Sequence, residues 1–137
     1  NQAQFLPYWR NSEYVNVVQG KDIYVSFYRH AEKKELLAVI SHVSKEHLDQ
    51  EVVVEFKPTE LGWNKLTSAT ELLTGPDEEY ESLYTDVPDV PYYSESSRWR
   101  IPVKLGDFGV EFKGLENNRI KLDLKHHSVA IIKIIAE

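Results

Sequence analysis

Ile23-Tyr24-Val25-Ser26-Phe27-Tyr28 alternates strictly at Ile23, Val25 and Phe27. In an extended chain successive side chains point to opposite sides, so these three share one face. The same period returns on either side of this stretch. In Glu51-Val52-Val53-Val54-Glu55-Phe56-Lys57, Val52, Val54 and Phe56 point one way, and Glu51, Val53, Glu55 and Lys57 the other. Phe108, Val110 and Phe112 alternate with Glu111 and Lys113, and Ile120, Leu122 and Leu124 with Lys121, Asp123 and Lys125. One dry face and one wet face per strand is the requirement of two antiparallel sheets packed on each other. Residues 36–40 and 129–135 are apolar at nearly every position, which predicts central strands covered on both faces, with Lys133 marking where the cover ends.

The breaks between these runs suit hairpins. Gln19-Gly20-Lys21-Asp22 reads as a turn, 31–35 as a polar loop, and Asn117-Asn118 as a two-residue turn, because Asn tolerates positive φ. His126-His127 holds the equivalent place before the last run. Strands are predicted at 14–18, 22–29, 36–42, 51–57, 69–74, 99–105, 108–113, 119–125 and 128–135. Pro58-Thr59-Glu60-Leu61-Gly62 predicts one short helical turn, with proline at its start and glycine at its end. No longer window has a helical period. The expected fold is all-β: an antiparallel two-sheet sandwich of about nine strands forming one domain over 1–137, with 1–12 as a linker or junction.

Composition narrows the function. The 137 residues are 42% hydrophobic and 28% charged, an ordinary globular balance. No apolar run approaches the ~20 residues of a membrane helix. There is no cysteine, which excludes disulfides and thiolate chemistry. The net charge of −6 argues against a nucleic-acid surface. All of that charge resides in one stretch. Over 75–98 stand seven acids (Asp77, Glu78, Glu79, Glu81, Asp86, Asp89, Glu95) against Arg98, leaving 15 acids and 15 bases elsewhere. This stretch, with three prolines and four tyrosines, reads as a long acidic loop. The first residue is Asn1, which suggests a matured chain or, by preference, a piece of a longer one.

The order of these pieces resembles a known family. Ile23-Tyr24-Val25-Ser26-Phe27-Tyr28-Arg29 precedes Leu36-Leu37-Ala38-Val39-Ile40-Ser41. Val52-Val53-Val54-Glu55-Phe56, a turn with Leu61-Gly62, Ala69-Thr70-Glu71-Leu72-Leu73-Thr74-Gly75 and Ile120-Lys121-Leu122-Asp123-Leu124 follow. This resembles the C-terminal β-sandwich domain behind the catalytic barrel of α-amylase-like and related bacterial glycoside hydrolases. Phe5-Leu6-Pro7-Tyr8-Trp9-Arg10-Asn11 resembles the junction where such a chain leaves the barrel. His42 departs from the Asn common at that place, and the 75–97 loop is longer than usual. The resemblance implies a non-catalytic accessory domain that packs on an upstream catalytic domain and stabilises it, in a secreted, periplasmic or cell-surface parent.

The residues able to carry chemistry admit plainer readings. Glycoside hydrolysis needs two carboxylates across a cleft. Asp86 with Asp89, Glu78 with Glu79, and Asp107 with Glu111 lie in a loop or on a wet strand face, and read as solvated. His30, His42, His47, His126 and His127 have no metal-ligand spacing, and His126 and His127 are adjacent. A calcium ion would draw on Asp77, Glu79, Asp86 or Asp89, but the EF-hand spacing is missing. Gly106-Asp107-Phe108-Gly109 matches a kinase triplet with none of its companions. No catalytic residue, metal or cofactor is expected. Aromatic residues carry the functional hint. Trp99 is in phase with Ile101 and Val103 and reads as core, and Trp63 as a cap on the sandwich. Tyr8, Trp9, Tyr92 and Tyr93 are the candidate contacts, with the upstream domain as partner, or with a carbohydrate if the domain is an autonomous sugar-binding module.

Overall fold

The alternating runs become strands in the computed structural model, which describes residues 3–46, 48–72 and 109–137. In chain order these are β1 (Ala3–Leu6), β2 (Val15–Gln19), β3 (Ile23–His30), β4 (Glu35–His42), β5 (Gln50–Phe56), β6 (Leu66–Glu71), β7 (Val110–Glu116), β8 (Arg119–Leu124) and β9 (Val129–Ala136). A 3-10 turn at Pro58–Leu61 lies between β5 and β6. The strands form two sheets, ordered β1-β3-β4-β9-β6 and β2-β5-β8-β7, and every pairing is antiparallel. The fold is an all-β sandwich.

Hydrophobic alternation sets which face of each sheet turns inward. Val25 and Phe27 of β3, Leu36, Ala38 and Ile40 of β4, and Ala130, Ile132 and Ile134 of β9 are buried. They meet Val52, Val54 and Phe56 of β5 and Ile120, Leu122 and Leu124 of β8. Phe27 stands edge-on to Phe56 at 6.2 Å between ring centroids, joining the two sheets through their largest buried side chains.

Local chemistry fixes the connections. Asn117 and Asn118 both have positive φ, 51° and 62°, as the tight β7–β8 hairpin requires. Asn118 does more than turn the chain: its Oδ1 accepts the Leu66 N–H at 2.9 Å, tying the hairpin to the start of β6. Gly62 ends the 3-10 turn in the left-handed region, at φ 83°, and its N–H returns to the Thr59 carbonyl. Trp63 is buried just beyond, under the Arg29 guanidinium at 5.7 Å, so it does cap one end of the sandwich.

Several expectations are corrected. The junction expected over 1–12 contains a strand, β1, which pairs with β3 from Ala3 opposite His30 to Leu6 opposite Phe27. The sixth strand begins at Leu66, three residues before the predicted 69, because Leu66 pairs with Ala136 at the end of β9. The seventh runs on to Glu116, past the predicted 113, through a bulge between Phe112 and Gly114. The strand predicted at 99–105, the acidic loop at 75–98, Trp99, Tyr92 and Tyr93 lie outside the described residues. β4 and β9 are central, as expected, but the described residues do not cover them on both sides. Leu37, Val39 and Ile131 on their outward face are half-buried, and Val129 and Ile135 are exposed.

Candidate docking face

The two outer faces of the sandwich differ in chemistry. On the four-stranded sheet the outward positions of β5, β7 and β8 are mostly charged, and most of these charges are paired, with Val53 among them and Val18 exposed on β2. Register places Glu51 of β5 beside Asp123 of β8, and Asp123 beside Glu111 of β7, so three carboxylates form one row. Lys113 reaches into the row, 3.2 Å from Glu51 and 3.1 Å from Asp123, and Lys121 lies 3.5 Å from Glu51. Arg119 pairs with Glu55 at 3.0 Å. The hydrogen bond from Lys113 holds the Glu51 carboxyl below its ordinary value, and Asp123 with Glu51 pushes the Lys113 ammonium up. This side is wet, with its charges matched among themselves.

The outer face of the five-stranded sheet is more apolar over β1, β3, β4 and β9, with Ser26 and Ser41 among its residues, while β6 turns Ser68 and Thr70 outward. Inward packing of Ile23, Val25 and Phe27 sends Tyr24, Ser26 and Tyr28 outward from β3. The same parity turns Leu37, Val39 and Ser41 outward on β4, and Val129, Ile131 and Ile135 on β9. Across the strands Tyr24 stands beside Ser41 and Ser41 beside Val129; Ser26 beside Val39 and Val39 beside Ile131; Tyr28 beside Leu37. Phe5 of β1 extends the last row by lying opposite Tyr28, its ring 4.9 Å away. Glu35 and Lys133, 4.0 Å apart, bring charge to one end of this face and pair with each other. They flank a shallow groove of about 390 Å³ lined also by Tyr28, His30 and Leu37.

Tyr8 and Trp9 stand at the β1 side of this face. Both are exposed, Tyr8 at 47% and Trp9 at 65%, so neither ring is used up within the chain itself. The Tyr8 ring leans on Tyr24, 4.6 Å between centroids, and Trp9 meets it edge-on at 5.0 Å and 88°. The structure thus joins two sequence-predicted residues, Tyr8 and Trp9, to three that sequence reasoning did not single out: Phe5, Tyr24 and Tyr28. The overlooked signal lay in the first alternating run, where the outward positions are tyrosine, serine and tyrosine in place of charge.

His42 and His127 take structural places, and His47 lies outside the described residues. His42 is fully buried at the end of β4; its Nδ1 accepts the Ser44 N–H and its Nε2 lies against the Leu48 carbonyl, which holds the chain after β4. His127 occupies the β8–β9 turn with φ 61°. Among the described residues no group of three or more histidine or acidic side chains is arranged to hold a metal ion. No protein-family model, no curated protein and no solved structure matches the chain.

Proposed function

We propose that this sandwich is a non-catalytic accessory domain that docks, through the outer face of its five-stranded sheet, on a neighbouring folded domain. The contrast between the two outer faces carries the reading. A solvated sheet side carries matched charge, as the β5-β8-β7 side does; contiguous apolar surface on a soluble protein marks an interaction site. Phe5, Tyr8, Trp9, Tyr24 and Tyr28 supply the aromatic contacts typical of interface centres, and Leu37, Val39, Val129 and Ile131 supply a flat aliphatic floor. The resemblance of the strand order to glycoside hydrolase C-terminal domains makes the catalytic barrel of such an enzyme the proposed neighbour. In that role the domain covers and stabilises the barrel.

The sugar-binding alternative rests on Trp9, Tyr92 and Tyr93; Tyr92 and Tyr93 lie outside the described residues, and the exposed Trp9 ring can stack one sugar. The rings around it do not share a plane, since Tyr8 is turned 88° from Trp9 and 45° from Tyr24. An extended flat glycan stacks on coplanar rings, so this geometry favours side chains that interdigitate.

Photo-cross-linking in the cells that make the protein tests the reading. A photoreactive phenylalanine is placed at position 39 or 9 on the apolar face, or at position 121 on the charged face. The expected result is adducts from 39 and 9 to peptides of one folded catalytic domain, and none from 121. Equal yields from both faces, or none from either, would overturn the proposal. Saturable quenching of tryptophan emission by a polysaccharide, without protein adducts, would transfer the function to the sugar reading.

A further inference from the structure

We propose that Asn11 is a positioning residue of the docking face: its buried amide holds the Tyr8–Trp9 turn in the exposed place from which both rings meet the neighbouring domain. The inference rests on the docking reading above and adds to it how the aromatic corner is pre-arranged.

The reasoning begins with where β1 stops. Its last residue, Leu6, lies opposite Phe27, so beyond that point no described strand lies on this edge of β3. A bare edge carbonyl at Val25 would be left without its ladder partner. Asn11 supplies one. Its side chain is 3% exposed, and Nδ2 donates to the carbonyls of Val25 at 2.7 Å and Leu6 at 3.1 Å. Its own backbone carbonyl accepts the N–H groups of Tyr14 at 2.9 Å and Val15 at 3.2 Å. A single residue therefore binds the end of β1, the middle of β3 and the start of β2.

Residues 7–10 are looped out between these clamps. The Arg10 N–H closes a turn on the Pro7 carbonyl at 2.9 Å, and the Tyr8 N–H donates to Ser26 Oγ at 3.0 Å. The turn is thus tied to the sheet at its base and along its length, while its two large apolar side chains remain outside. Fixing the backbone beneath exposed aromatic rings reduces the freedom they lose when a partner closes over them.

The test uses the photoreactive residue at position 9 and, separately, at position 39, in the natural polypeptide. Asn11→Ala is expected to lower the adduct yield from position 9 several-fold while the yield from position 39 stays within about twofold. Ser26→Ala removes the acceptor of the Tyr8 N–H together with one hydroxyl from the face beside Val39, and is expected to lower the yield from position 9 more weakly while leaving that from position 39 within about twofold; it decides the matter if the Asn11 variant does not fold. Yields that fall together at both positions would show Asn11 to be a structural clamp only, and yields unchanged at position 9 would also overturn the proposal. An absence of adducts from both positions in the unsubstituted chain would instead remove the docking reading itself, and this inference with it.

Discussion

Asn117 and Asn118 show how neighbouring residues of one type can carry different loads. Both adopt positive φ, which glycine tolerates as well as asparagine or better. Only Asn118 also makes a cross-connection, through Oδ1 to the Leu66 N–H. Asn117→Gly is therefore expected to leave stability within about 0.5 kcal/mol of the parent. Asn118→Gly leaves the Leu66 N–H without its acceptor and is expected to cost about 1–2 kcal/mol. Urea midpoints of the two variants check this, and equal midpoints would show that the turn conformation alone matters. In the core, Phe27→Ala is expected to cost about 3–5 kcal/mol, since the ring is fully buried and spans to Phe56.

At the scale of the strand, β5, β7 and β8 are held on their outer side by charge as well as by their ladders. Lys113 lies between Glu51 and Asp123, and the Glu51 carboxyl is held below its ordinary value chiefly by the hydrogen bond from Lys113. A carboxyl whose folded value is depressed contributes stability that is present above its unfolded value and is lost as pH falls through the folded one. Stability is thus expected to fall on acidification through and below the carboxylate range, near and below about pH 4.5. Lys113→Met should flatten that dependence, and added salt should weaken it in the parent. Denaturant midpoints measured across this pH range decide it; parallel curves for parent and variant would show that the ion pairs add nothing. The strands also show what the sequence makes legible. Where alternation is strict, as at Ile23–His30 and Arg119–Leu124, periodicity located each element to within one residue, because one face had to be buried. Ala3–Leu6 has no such pattern. Its pairing comes from the free edge of β3, a partner distant in sequence that no local reading supplies. The Leu66 start of β6 was lost for the same reason, since it depends on Ala136.

On the whole molecule, the same division explains why the candidate face was only half visible. Tyr8 and Trp9 stood out as aromatic residues ahead of the first predicted strand. Double apolarity at 36–40 and 129–135 was read as cover on both sides, since a strand in the middle of a sheet with both faces apolar is ordinarily buried. The described strands instead leave that outward face open, and the docking proposal rests on that exposure. Tyr24 and Trp9 are both exposed and contribute little to the core, and their exchange for polar residues is expected to change stability by no more than about 0.5 kcal/mol. The double variant Trp9→Ser with Tyr24→Ser should nevertheless bind markedly less of an apolar fluorescent dye such as ANS than the parent. A matched pair of substitutions on the charged face, Lys121→Ser with Glu111→Ser, should leave dye binding as it was. Loss of stability with the aromatic pair would mean that these rings support the fold and are not held out for a partner. Loss of dye binding at unchanged stability is the outcome that follows from two sheets with different outer chemistries, one bearing paired charges and the other the aromatic and aliphatic side chains on which the docking proposal rests.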